Sequence, residues 1–238
     1  MPTDREDRNV LRFHIRRRGH APRQRLAEPA QFGGRPGEIR IPGPHPDAPA
    51  YSGLDGDQTL QLVVPEASDR ERIAILEDRR EIYERDYLPS VKPLEGAREV
   101  LRILAEQGGR IALATDCKGL SFTRHMSLLD SRDYIAATAC GDDLDHGKPD
   151  PRLVGIALRK LGLAGSQTVM VGDTPYDAEA GIEAGTKAAG VLTGGFSADV
   201  LADAGCFAVA RDLSALLPNL LSGVGGRDPS QSDWLRSA

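Results

Sequence analysis

Two aspartates four residues apart, Asp173 and Asp177, stand in the stretch Val169-Met170-Val171-Gly172-Asp173-Thr174-Pro175-Tyr176-Asp177. The apolar run reads as a short buried strand, and Gly172 lets the backbone turn where the strand leaves its sheet. Asp173 then falls at the carboxyl end of a strand, the place where open α/β sheets gather their ligands. If Thr174 or Pro175 opens a helix, Asp177 comes within reach of the same point. Two carboxylates held together repel unless a cation joins them, and hard oxygen donors of this kind suit Mg²⁺. The same residues also have a purely structural use, with Asp173 capping the helix and Asp177 a first-turn acid facing the helix dipole.

Two further polar positions fall at comparable points. Thr115 follows the apolar run Ile111-Ala112-Leu113-Ala114, and Lys148 lies in Gly147-Lys148-Pro149-Asp150-Pro151 ahead of a helical stretch. A hydroxyl donor, an ammonium and a carboxylate-bound Mg²⁺ converging on one point would make a phosphate site. Singly, Thr115 also reads as a turn residue and Lys148 as a solvated cation flanking a helix.

The elements that must position these groups alternate. Strands are expected at 111–114, 134–139, 168–171, 188–192 and 206–210. Helices are expected from Pro93 or Ala97 to Gly108-Gly109 and over 121–130, 151–161, 178–184 and 198–204. Alternation at this spacing predicts parallel βαβ units in an α/β, Rossmann-like doubly wound sheet. Upstream, Ser68 with Glu71 forms a capping-box signature, and Ile73, Leu76, Ile82 or Tyr83 and Tyr87 recur at helical spacing up to Pro89. The expected organisation is an irregular arm over 1–52, a partial helical cap over 53–90, the α/β core over 91–220 and a frayed tail over 221–238 that contains Trp234.

In this order, the three motifs resemble motifs II, III and IV of the haloacid dehalogenase-like (HAD) hydrolases across roughly residues 90–215. Gly194-Gly195-Phe196-Ser197 resembles the phosphoglycolate phosphatase-like branch. The resemblance implies a Mg²⁺-dependent phosphatase acting on a small phosphorylated metabolite through an aspartyl-phosphate. One aspartate attacks phosphorus, and a second, two residues on, protonates the leaving group. Thr115 and Lys148 would hold phosphoryl oxygens, and Asp173 with Asp177 would hold Mg²⁺. The paired aspartates speak against a dehalogenase, which needs no metal.

The family's two-aspartate motif I, a DxDGT-type sequence after the first strand, has one counterpart here, Asp55-Gly56-Asp57-Gln58-Thr59. On one assignment Asp55 is the nucleophile and Asp57 the acid/base. Against it, Pro49 and Gly53 make Ala48–Leu54 a poor central strand, Gln58 stands where the family has Gly, and the connection to Pro93 has the wrong length. On the other assignment Gly53-Leu54-Asp55-Gly56-Asp57-Gln58 resembles the Gly-rich cap loop of capped members. Asp57 then lines the site from the cap, and both the nucleophile and the first core strand are missing. The surrounding sequence favours this second assignment, whose functional counterpart is a non-catalytic domain that binds phosphate and Mg²⁺ without turnover.

Residues 1–50 contrast with the remainder. They hold 10 Arg and no Lys, together with 8 of the chain's 16 Pro, and carry a net charge of +4 in a chain of −5. Val10–Ile15 is compatible with a short strand, but Gly and Pro punctuate too densely afterwards for packed elements, and a loosely attached arm is expected. Its arginines would suit an anionic partner. The acidic whole, with pI near 5.6, gives no reason to expect nucleic acid or an anionic membrane as partner. Three scattered cysteines without metal spacing favour a reducing compartment, and with no long apolar run the cytoplasm is the expected location.

Overall fold

The computed structural model describes residues 9–11, 51–144 and 147–222. The remainder of the expected arm and the tail with Trp234 lie outside the described residues. Among the described residues six parallel strands form the sheet: β1 (Asn9–Leu11), β2 (Ile111–Thr115), β3 (Ile135–Cys140), β4 (Thr168–Gly172), β5 (Lys187–Val191) and β6 (Cys206–Ala210). Their order is β3-β2-β1-β4-β5-β6.

The central strand corrects an expectation. The first core strand was expected to be missing, yet β1 fills the position between β2 and β4. Val10 pairs with Ile111 on one side and Val169 on the other, and Leu11 with Ala112 and Met170. Three residues of extended backbone supply the N–H and C=O groups that two neighbouring strands would otherwise leave unpaired.

Alternation along the strands sorts side chains onto two faces. Ile111, Leu113, Val169, Val171 and Val191 pack on one face against α3 (Ala97–Glu106), α4 (Gly119–Leu129) and α8 (Leu213–Ser222) through Val100, Leu101, Leu104, Met126, Leu213 and Leu216. Ala112, Ala114, Ala139 and Met170 face the other way and receive Leu153, Val154, Ala157 and Leu161 of α5 (Arg152–Leu161) and Ala180 of α6 (Pro175–Glu183). Alanines on that face let α5 lie close to the sheet. Both faces are covered, as a parallel sheet requires, and α7 (Ala198–Asp203) joins β5 to β6.

Ahead of this core lie α1 (Gly56–Val63) and α2 (Asp69–Ile82), the latter continued by a π-helical turn over Tyr83–Tyr87. The Ser68–Glu71 capping box is formed, with Glu71 accepting from the Ser68 backbone N–H at 2.8 Å. The apolar stripe of α2 is not a core face. Ile73 and Tyr87 are 58% and 52% exposed, and no residue of α1 or α2 is fully buried. Where Gly53–Gln58 read as a loop, Asp55 instead caps α1, accepting from the backbone N–H of Asp57 and Gln58 at 3.0 and 3.2 Å.

Candidate active site

Thr115 ends β2 and Asp173 follows β4, so the two lie at the carboxyl edge of the sheet on either side of β1. The third motif bridges them. Lys148 is 1% exposed, and its ammonium lies 2.9 Å from Asp116 Oδ2 beside β2 and 3.2 Å from Asp177 Oδ1 at the start of α6. A cation so deeply buried is sustained only by paired carboxylates. Asp116 was not among the residues singled out from the sequence, and only the topology brings it to Lys148.

The turn after β4 is built around Asp177. Pro175 opens α6 and Thr174 is its N-cap, with Oγ1 accepting from the Asp177 N–H at 3.2 Å. Asp177 returns its Oδ2 to the backbone N–H groups of Asp173 and Thr174 at 3.2 and 3.3 Å. The carboxylate folds back over Gly172, where an added Cβ would stand 2.2 Å from Asp177 Cβ. Glycine is therefore required there by close approach. Asp177 is fully buried and engaged by two N–H groups and Lys148, so it holds the turn and the ammonium in place. Asp173 is turned toward the β5–α7 loop, where Thr193 Oγ1 donates to its Oδ2 at 3.0 Å. A Cβ on Gly194 would meet the Asp173 carbonyl oxygen at 2.1 Å, which accounts for the glycine of that loop.

Asp55 also reaches this edge. Its N–H donates to the Lys148 carbonyl at 2.9 Å, and its Oδ2 accepts from the Gly147 N–H at 2.9 Å. A Cβ on Gly147 would lie 2.8 Å from Asp55 Oδ2 and 3.1 Å from Asp116 Oδ1, so the bare glycine is what allows both carboxylates to close on this loop. With Oδ1 capping α1, both Asp55 oxygens accept from backbone N–H groups. Asp57 points elsewhere: its Oδ1 meets Arg72 at 2.8 Å and its Oδ2 accepts from Gln61 at 2.7 Å, tying α1 to α2.

The donor chemistry is of the right kind for Mg²⁺ but the set is incomplete. Asp173, Asp116, Asp177 and Asp55 give hard oxygens and an excess of negative charge over the single ammonium. Among the described residues, however, no group of three or more His, Cys, Asp or Glu side chains could hold a metal ion. Asp177 and Asp116 are drawn to Lys148 and Asp55 is engaged by three backbone N–H groups, which leaves Asp173, among the described residues, as the acid best suited to such an ion. The other ligands would have to be water and substrate oxygens.

Comparison with known proteins shows the family. A family model described as haloacid dehalogenase-like hydrolase matches residues 45–191. The chain is 31% identical over 145 residues to a pyrophosphatase PpaX of Anoxybacillus flavithermus, covering 61% of this chain and 66% of the relative. It is 31% identical over 134 residues to a phosphoglycolate phosphatase of Rhodospirillum rubrum, covering 56% and 55%. The chain thus spans about half to two thirds of the length of these curated relatives. Among solved structures, a hydrolase from Pseudomonas syringae superposes with a TM-score of 0.66 at 27% identity over 72% of this chain and 80% of that one. A putative β-phosphoglucomutase from Bacteroides vulgatus shares the fold, with a TM-score of 0.66 at 23% identity over 76% of each chain. With the match extending over more than half its length, the chain belongs to the haloacid dehalogenase-like hydrolases.

Proposed function

We propose that the chain binds the phosphoryl group of a small phosphorylated metabolite at the carboxyl edge of its sheet, using the recognition part of a phosphatase site, and that it does so without an aspartyl-phosphate step. Relatives named for pyrophosphate and phosphoglycolate support the class of ligand. Thr115 Oγ1 and Lys148 Nζ are the donors that meet phosphoryl oxygens. Asp116 and Asp177 hold the ammonium in place before the ligand arrives, which lowers the cost of ordering it. Asp173 is the residue that would take Mg²⁺, whose contribution when bound is to neutralise phosphoryl charge.

The observation that carries this reading is the engagement of Asp55. An ionised carboxylate offers about four lone-pair sites, and three of those of Asp55 are taken by backbone N–H groups, two of them in capping α1, so the side chain serves the local fold and keeps a single site on Oδ2. Asp57 is held by Arg72 and Gln61. After β1, where this family's nucleophile is expected, the sequence has no aspartate from residue 8 to residue 46. A second reading, a Mg²⁺-dependent phosphatase with Asp55 as nucleophile and Asp57 as acid/base, draws on the closeness of Asp55 to Gly147 and the Lys148 carbonyl.

Release of phosphate from an aryl phosphate with Mg²⁺, compared between the chain and its Asp55→Asn variant, separates the two. The expected result is no turnover from either protein, with inorganic phosphate binding detected by calorimetry and lost in Lys148→Met. Turnover abolished by Asp55→Asn would identify Asp55 as the nucleophile and overturn the proposal.

A further inference from the structure

Next to the phosphate edge, three side chains from separate elements make a connected array that the functions above do not use. Cys117 lies two residues beyond Thr115, in the loop that leads to α4, and its N–H donates to Thr115 Oγ1 at 3.3 Å. Its Sγ is 3.5 Å from Nδ1 of His125, one to two turns along α4. The other ring nitrogen of His125, Nε2, is 2.9 Å from the phenol oxygen of Tyr83, in the π-helical turn after α2. The phenol and imidazole rings meet edge to face, with centroids 6.2 Å apart and planes at 70°. A neighbouring contact, Ser121 Oγ donating to Glu84 Oε1 at 3.1 Å, fastens the same turn to α4.

This is a nucleophile, a base and a group that orients the base, at hydrogen-bonding separations. We propose that Cys117, His125 and Tyr83 form a thiol–imidazole–phenol array that makes Cys117 a nucleophilic modification site for soft carbon electrophiles. With Nε2–H donating to Tyr83 Oη, Nδ1 is left as the acceptor facing sulfur. When the sulfur forms its bond to carbon and the leaving group departs with its electron pair, the thiol proton passes to Nδ1. The resulting imidazolium donates from both nitrogens, to sulfur and to the phenol oxygen, so neither N–H is stranded. Partial exposure of Cys117 admits a reagent.

The other two cysteines lack this arrangement and act as internal controls. Burial pushes the Cys206 thiol up to about 11. Burial is also the main influence raising Cys140, with nearby Asp142 and Asp143 acting in the same direction by their charge. Thiolate is the reactive form, so both should be slow.

The inference does not depend on the phosphate reading. It is tested on the full chain with iodoacetamide at pH 7, following each cysteine by peptide mass mapping over time. Cys117 is expected to alkylate about tenfold or more faster than Cys140 and Cys206, with iodide displaced. His125→Ala is expected to bring Cys117 to within about twofold of Cys140, and Tyr83→Phe to slow it by a few-fold with His125 in place. Should His125→Ala not fold, as judged by circular dichroism, His125→Asn replaces it, since Asn keeps a polar side chain but cannot take the proton. A Cys117 rate no greater than that of Cys140, or one unchanged in a folded His125 variant, would overturn the proposal.

Discussion

Replacing Lys148 by methionine isolates the interaction on which the site rests. Methionine matches the buried stem in length and bulk, so little packing is lost and the perturbation is mainly electrostatic. The ammonium is 3.2 Å from the fully buried Asp177 and 2.9 Å from Asp116, whose side chain is 36% exposed. At an effective dielectric of about 20, unit charges at 3.2 Å attract by about 5 kcal/mol. Asp116 adds less, because solvent can rehydrate it. Lys148 no longer has to be desolvated in the variant, but Asp177 is left as a buried charge softened by its two backbone N–H groups. The net loss should be about 3 kcal/mol, corresponding to a fall in Tm of about 6–12 °C for a domain of this size. Urea unfolding followed by circular dichroism measures it. Adding Asp177→Asn should restore at least about 1 kcal/mol relative to the sum of the single changes, because Asn can still accept from Asp173 and Thr174 while carrying no charge. A loss below about 1 kcal/mol in Lys148→Met, or strict additivity in the double variant, would refute the idea that Lys148 and Asp177 sustain one another.

Gly172→Ala should destabilise by about 3 kcal/mol or prevent folding, since its Cβ would stand 2.2 Å from that of Asp177 and strand and helix cannot both stay in place; the same urea titration reports it. Asp143 is held below the usual carboxylate range, first by the Cys140 backbone N–H and then by Lys160. A lowered carboxylate stabilises fully above its ordinary value near about 4, and that contribution disappears as pH falls through the lower folded value. Asp143→Asn should therefore cost about 0.5 kcal/mol at pH 7, small because the pair is partly exposed, and nothing once the pH is below both values, as equilibrium unfolding at pH 7 and in acid will reveal.

The α/β half of the chain was legible because its signals are local and repeated. Every strand from β2 to β6 lies within one or two residues of its expected position, since runs such as Ile111–Ala114 and Val169–Val171 bury both faces and need no partner to be recognised. β1 was not legible. Asn9-Val10-Leu11 is three residues long, lies among arginines and earns its place only through the ladders it makes with strands about a hundred and about a hundred and sixty residues away. For α1, a glycine at its first position and the absence of any fully buried residue hide the helix, while α8 lies beyond the last motif and its apolar residues carry no functional mark. At the site, Thr115, Lys148 and Asp173 were found where their motifs indicated, at one edge. The use of Asp177 was also written locally, because Thr174-Pro175-Tyr176-Asp177 combines a proline first turn with a Thr-x-x-Asp box. Asp116 had no such mark. Nothing in Thr115-Asp116-Cys117 says that a lysine 32 residues further on will meet it.

On the proposed reading, that division would explain how the recognition part of a phosphatase site can persist without the aspartate that attacks. A central strand in a parallel sheet is selected for backbone hydrogen bonds and for residues that tolerate extension, and Asn-Val-Leu satisfies both without contributing a carboxylate. A nucleophile is a single functional group at a single point, and nothing in the ladder enforces it. The Lys148 cluster, by contrast, draws its counter-charges from Asp116 in the loop after β2 and from Asp177 in the first turn of α6, and the latter also completes the capping box of α6 and closes over Gly172. Removing the attacking carboxylate takes no partner from Lys148, whereas removing Asp177 would strip a cap, a turn and a counter-ion together. If the proposal holds, stability protects the groups that would hold a phosphoryl oxygen and is indifferent to the one that would break its ester bond.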